Sequence, residues 1–148
     1  MKVLKNTLRL ASVFLFFGCS ENSEKQYVPN QQTTVLNHDY EEVQDYELMW
    51  ETMFDVNSSD YYVYIYSTTC NHCEELKNYI IEKALTLGNI YFVKGSSKDQ
   101  IGYDSNKSKY AENPGDIWIL GYPTLLKITG HKCMKNLAGN TQITSELK

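Results

Sequence analysis

Tyr61–Leu85 reads YYVYIYSTTCNHCEELKNYIIEKAL. Its first six residues, Tyr61 to Tyr66, are aromatic or β-branched with no polar alternation, the pattern of a strand buried on both faces in the middle of a mixed or parallel sheet. Ser67, Thr68 and Thr69 interrupt it, and Cys70-Asn71-His72-Cys73 follows. From Cys73 the apolar residues fall at Leu76, Ile80, Ala84 and Leu87, which is helical spacing. Gly88 supplies a C-terminal stop. Two cysteines three residues apart therefore sit where a buried strand becomes a helix.

The composition around this stretch is that of an ordinary globular domain. The 148 residues are 42% hydrophobic and 22% charged, enough for one domain with its own core. Twelve tyrosines predict a core that mixes rings with hydroxyls needing partners. Lys2, Lys5 and Arg9 precede Cys19. Without them eleven lysines face eighteen acidic residues, seven negative charges in excess. No basic stripe remains to track a phosphate backbone, which argues against nucleic-acid binding. Four cysteines are too few to staple a scaffold of this size.

Residues 1–18 carry positive charges, then a short apolar run from Leu10 to Phe17, the layout of a secretory signal peptide. That run is about half of the ~20 residues a spanning helix needs. Phe16-Phe17-Gly18-Cys19 resembles the lipobox of bacterial lipoproteins, with phenylalanines where smaller residues are usual. The resemblance implies that Cys19 carries lipid and anchors the chain to the bacterial cell membrane on its outer side. Residues 19–34 are polar and read as a flexible tether.

The domain is expected over 35–148. Val35 and Leu36 suggest a short edge strand. Val43, Tyr46, Trp50, Met53 and Phe54 recur at three- and four-residue spacing and predict an amphipathic helix from Tyr40 to Phe54. A strand is expected over Ile90–Val93, a short helix near Lys107–Glu112, and a turn at Pro114-Gly115. Asp116–Leu120 leads into Gly121-Tyr122-Pro123-Thr124. Leu125–Thr129 and Cys133–Leu137 then form a hairpin about Gly130-His131. Gly139 leaves room for a stub of helix. Strands interleaved with helices and closed by a hairpin predict an α/β sandwich on a mixed sheet.

The cysteine spacing points to chemistry. On a helix, positions i and i+3 share a face, so Cys70 and Cys73 can meet. Cys70 opens the helix, where unpaired N–H groups and the macrodipole favour a negative sulfur. Helix N-termini lower the pKa of Cys-x-x-Cys thiols to roughly 3.5–7.5. Cys70 is the candidate nucleophile and Cys73 the candidate resolving thiol. A protonated His72 would favour the thiolate, Glu74 and Glu75 would oppose it, and Lys77 offsets part of that. The redox direction stays open.

A buried strand, Cys70-Asn71-His72-Cys73 at a helix start and Gly121-Tyr122-Pro123-Thr124 before a terminal hairpin together resemble the thioredoxin family. The resemblance covers about Val35 to Lys148. It implies a three-layer thioredoxin-like α/β sandwich whose mixed sheet ends in an antiparallel hairpin, with a shortened last helix. It also implies a cis Pro123 beside the redox pair, with Tyr122 offering its backbone to a bound partner and Asn71, His72 and Thr124 in support. Departures are Thr69 where a tryptophan is frequent, Tyr64 where many members bury a carboxylate, and Asn71-His72 between the cysteines.

The resulting expectation is a membrane-anchored thiol–disulfide oxidoreductase acting on protein thiols or disulfides. It needs no cofactor, and a separate redox partner resets it. A non-catalytic accessory lipoprotein on the same scaffold is the rival reading. An inert disulfide is another. A metal-handling lipoprotein is a third, although His72 inside the pair is badly placed to join the same ion and no second Cys-x-x-Cys completes four ligands. Cys133 is expected in the core as a small apolar residue.

Overall fold

A computed structural model describes residues 36–96 and 99–148. The expected signal peptide (1–18), the lipidation site Cys19, the tether (19–34) and Val35 lie outside the described residues. Leu36 is irregular and exposed, not a strand.

The domain opens with a 3-10 helix, Tyr40–Tyr46. The Asp39 carboxylate accepts from the Tyr40 N–H at 2.7 Å, and Glu42 accepts from the Asp39 N–H at 2.7 Å. This reciprocal capping satisfies donors that a short helix cannot pair internally. Strand β1 (Glu47–Leu48) follows, then a 3-10 turn, Trp50–Thr52. One amphipathic helix over Tyr40–Phe54 is therefore incorrect. The apolar residues at helical spacing do not form one stripe, because they enter two different cores. Val43 and Tyr46 pack on one side of the sheet, whereas Trp50, Met53 and Phe54 pack on the other.

Next come β2 (Asp60–Tyr66), α1 (Asn71–Leu87) and β3 (Ile90–Lys94). After β4 (Gln100–Ile101), 3-10 turns at Ser105–Ser108 and Pro114–Asp116 precede β5 (Trp118–Ile119). The hairpin β6 (Thr124–Thr129) and β7 (Lys132–Ala138) and a seven-residue α2 (Asn140–Glu146) close the chain. The helix expected near Lys107–Glu112 is a 3-10 turn that ends at Ser108. Beyond it the backbone bonds the edge of β7 instead: Tyr110 N–H donates to Cys133 O at 2.7 Å, and Cys133 N–H to Ala111 O at 2.9 Å. Tyr110, at φ 68°, makes the bend that this edge pairing requires.

The five-stranded sheet has the order β1-β3-β2-β6-β7. β1, β3 and β2 run parallel, β6 is antiparallel to β2, and β7 to β6. A mixed sheet of this order, with α1 connecting β2 to β3 and an antiparallel hairpin at the end, is a thioredoxin-like fold. β4 and β5 form a separate parallel pair.

β2 is the central strand, and its pleat feeds both cores. Tyr64 and Tyr66 join α1, α2 and the first 3-10 helix, while Tyr61, Val63 and Ile65 join the opposite side. Among the described residues that opposite layer holds 3-10 turns and the β4–β5 pair, with no α-helix. Helix α1 buries Cys73, Leu76, Ile80, Ile81 and Ala84. Each fully buried aliphatic side chain contributes about 1.5–3 kcal/mol. Gly88, at φ 68°, ends α1 in the left-handed conformation, and its N–H reaches Ala84 O at 2.8 Å.

Most of the tyrosine hydroxyls in and around the core find partners. Tyr61 donates to Met53 O at 2.9 Å, Tyr62 to Glu146 at 3.2 Å, Tyr66 to Glu47 at 2.7 Å and Tyr79 to Leu147 O at 3.1 Å. The buried hydroxyl of Tyr64 faces that of Tyr40 without a well-formed hydrogen bond.

Candidate active site

The turn out of β2 delivers Cys70 to the head of α1. The Ser67 hydroxyl accepts from the Thr69 N–H at 3.3 Å and lies 3.1 Å from the Thr69 hydroxyl, and the Cys70 N–H reaches Ser67 O at 3.3 Å. These bonds close the turn, so Cys70 becomes the N-cap in an extended conformation, φ −98° and ψ 117°. Its sulfur accepts from the Cys73 N–H at 3.2 Å, the role that an oxygen usually plays at a helix start.

The two thiols differ in access. Cys70 is half-buried, whereas Cys73 is 1% exposed. Burial, reinforced by the hydrogen bond to Cys70, pushes the Cys73 thiol up to about 12. Cys70, Cys73 and Cys133 are all free thiols. Cys133 lies in the opposite core, and burial pushes it up to about 12 as well.

Across from the pair, the Tyr122–Pro123 peptide is cis. The Tyr122 carbonyl oxygen lies 3.4 Å from Cys70 Sγ and accepts from its thiol. Thr124 is fully buried, and its hydroxyl donates to Gly121 O at 2.6 Å. The Gly139 N–H donates to Pro123 O at 3.0 Å, tying this loop to the end of β7. Thus Cys70 meets both the Cys73 N–H and the Tyr122 carbonyl, and Pro123 and Thr124 follow Tyr122 in the chain.

Asn71 and His72 stand exposed at the start of α1. His72 Nδ1 lies 3.2 Å from Glu75 Oε2, one turn further along, and Asn140 Nδ2 donates to the same carboxylate oxygen at 3.0 Å. Glu74 pairs with Lys77 at 2.8 Å. Both carboxylates that opposed a thiolate in the sequence reading are thus partnered, and the His72 ring is turned to Glu75.

Two contributors have no signature in the sequence. Asp99 accepts a short hydrogen bond from the Tyr122 hydroxyl and also accepts from Ser96 N–H at 3.1 Å and Ser96 Oγ at 3.0 Å. Tyr40 donates to the Cys73 carbonyl at 3.5 Å and stacks on Tyr66 with centroids 4.0 Å apart. The abundance of tyrosine was the one available signal, since buried hydroxyls seek partners.

No protein-family model matches the chain, and no curated protein matches it. Among solved structures, thioredoxin f2 from Chlamydomonas reinhardtii is similar at 14% identity and a TM-score of 0.45, over 68% of this chain and 90% of that one. Mitochondrial thioredoxin 3 from Saccharomyces cerevisiae, in its oxidized form, is similar at 13% identity and a TM-score of 0.45, over 68% and 89%. Likeness at that level carries no argument by itself. The thioredoxin-like fold is read from the sheet order and connections described above.

Proposed function

We propose that this chain is a thiol–disulfide oxidoreductase, held on the outer side of a bacterial cell membrane by lipid on Cys19, that exchanges disulfides with protein substrates. The observation that carries the reading is the division between the two sulfurs. Cys70 is reachable, capped by the Cys73 N–H and set against the Tyr122 carbonyl, while Cys73 is buried one turn inward.

In the reducing direction the Cys70 thiolate attacks a substrate disulfide. A Cys70–substrate bond forms, and the other substrate sulfur leaves as a thiolate and takes up a proton. Cys73 then attacks Cys70, the internal disulfide forms, and the second substrate thiol is freed. Two electrons pass from the pair to the substrate, and a dithiol partner returns them. The reverse sequence oxidises a substrate dithiol. The reduction potential of the pair against that of its surroundings sets the direction. Asn71, His72, Tyr122, Pro123 and Thr124 line or support the place where the substrate chain would lie.

Insulin reduction tests the reading. Wild-type protein should accelerate it, Cys70→Ser should abolish the acceleration, and Cys73→Ser should accumulate a mixed disulfide at Cys70. Equal rates with wild type and Cys70→Ser would instead favour the accessory, non-catalytic role. The anchor has a separate test: Cys19→Ala should release the protein from membranes, and unchanged attachment would contradict lipidation.

A further inference from the structure

The parallel strands β1, β3 and β2 end at Leu48, Lys94 and Tyr66. Two hollows lie at these ends and share Glu47 and Lys94 as walls. One, of about 320 Å³, runs past Met49, Trp50 and Glu51. The other, of about 260 Å³, runs past Tyr40, Tyr66 and the exposed Asp39 and Glu41 to Thr68. Joined at Glu47 and Lys94, they form a groove that reaches the turn delivering Cys70. Thr68 is two residues before Cys70, a length of chain that spans at most ~7 Å.

The groove is apolar in its body and acidic along its rim. Tyr40 stacks on Tyr66 with ring centroids 4.0 Å apart, and Met49 stands 67% exposed beside the half-buried Trp50. Asp39, Glu41, Glu47 and Glu51 are exposed, and among the described residues none of them makes an ion pair. Asp39 accepts from the Tyr40 N–H and Glu47 from the Tyr66 hydroxyl, bonds that leave both charges in place. Lys94 is the single cation among the lining residues, against these four carboxylates. Such a surface suits a guest with an apolar stem and a cationic head. Lysine and arginine lay their stems along apolar surface and keep the head outside it. Aromatic rings attract that head, and carboxylates bind it with charge-assisted hydrogen bonds.

We propose that this groove receives basic side chains of the substrate protein, placed about two to four residues from the cysteine that Cys70 attacks. This rests on the thiol-exchange reading of the pair and adds a substrate class to it: protein segments whose reactive cysteine is flanked by lysine or arginine. A groove that opens beside Cys70 lies next to whatever chain is bonded to that sulfur. Its charge favours basic segments and disfavours acidic ones, since like charges across an interface are repelled. Lys94 works against the preference, so the two signs of charge in the walls make opposite predictions.

The test uses the reduced full chain in a Cys19→Ala background and two synthetic peptides, each with one cysteine disulfide-bonded to thionitrobenzoate. The peptides differ only in carrying arginine or glutamate two and three residues to each side of that cysteine. Cys70 Sγ bonds to the peptide sulfur, the peptide disulfide breaks, and thionitrobenzoate leaves with the electron pair as a coloured thiolate. At low salt the arginine peptide should react about fivefold faster or more, and the ratio should shrink as salt is added. Glu41→Gln combined with Glu51→Gln should cut the ratio about twofold or more, and Lys94→Gln should raise it. Glu82→Gln combined with Glu112→Gln removes equal charge elsewhere and should leave the ratio as it is. Neutral bis(hydroxyethyl) disulfide should react alike with all of them. The proposal is overturned by a wild-type ratio near one, by a groove variant that changes it no more than the control pair does, or by a Lys94→Gln that lowers it. The wild-type comparison decides even where a variant fails to fold. No reaction of wild type with the neutral disulfide would sink the thiol-exchange reading itself, whereas normal reaction there without peptide preference would sink this proposal alone.

Discussion

Cys70 sets its sulfur 3.4 Å from the carbonyl oxygen of Tyr122, across 52 residues of chain. That contact joins the head of α1 to the loop before β6 and brings a reachable thiol against backbone. Its neighbour Cys73 donates an N–H to the same sulfur at 3.2 Å while hiding its own.

The difference in access predicts an order of alkylation. With iodoacetamide near neutral pH, Cys70 should label first. Cys73 and Cys133, 1% and 0% exposed and both raised to about 12, should be slower by about two orders of magnitude or more, limited by opening of the core. Residue-level mass spectrometry over time reads this directly. Comparable labelling of Cys70 and Cys73 would contradict the geometry.

Gly95 predicts a steric effect on the site. A Cβ there would run into the far edge of the Tyr122 ring, including its hydroxyl. Gly95→Ala should therefore push the ring off Asp99 and unsettle the carbonyl that faces Cys70. The expected cost is about 1–3 kcal/mol of stability, read by denaturant unfolding, with slower attack by Cys70. Wild-type stability and rate together would show that the ring does not hold the loop.

Glu146 predicts an acid limb in stability. Burial alone would raise its carboxyl, but Lys135 at 2.6 Å and Lys127 at 3.5 Å hold it below the usual carboxylate range. A depressed folded pKa contributes stability above the unfolded value of about 4.3, and that contribution is lost as pH falls through the folded value. Glu146→Gln should lower stability at neutral pH by roughly 0.5–1 kcal/mol and flatten the loss below about pH 4.3. Unfolding free energies at several pH values check both parts. A variant that keeps the wild-type acid limb would contradict the assignment.

The central strand, the cysteine-bearing helix and the closing hairpin were legible because each signal is local. Tyr61–Tyr66 lacks polar alternation, Cys73 to Leu87 keeps helical spacing, and Gly130-His131 turns with φ of 56° and 60°. Tyr40–Phe54 was not legible, since helical spacing records which residues are buried but not on which side of a sheet. Val43 and Met53 go to opposite cores, and only tertiary structure separates them. Within the site, Cys70 and Cys73 could be named from their spacing, and Tyr122 and Pro123 from the resemblance to the thioredoxin family. Asp99 and Tyr40 could not, because their roles are long-range contacts of common residue types.

The most direct measurement is the redox titration of the Cys70–Cys73 pair. The protein is equilibrated across glutathione and dithiothreitol buffers, quenched by alkylation and mapped by mass spectrometry. The account predicts one two-electron transition in which Cys70 and Cys73 are lost together and bonded to each other, and which disappears in Cys70→Ser. Two cysteines that stay free thiols across the whole range, or a Cys70 adduct that Cys73 never displaces, would contradict it.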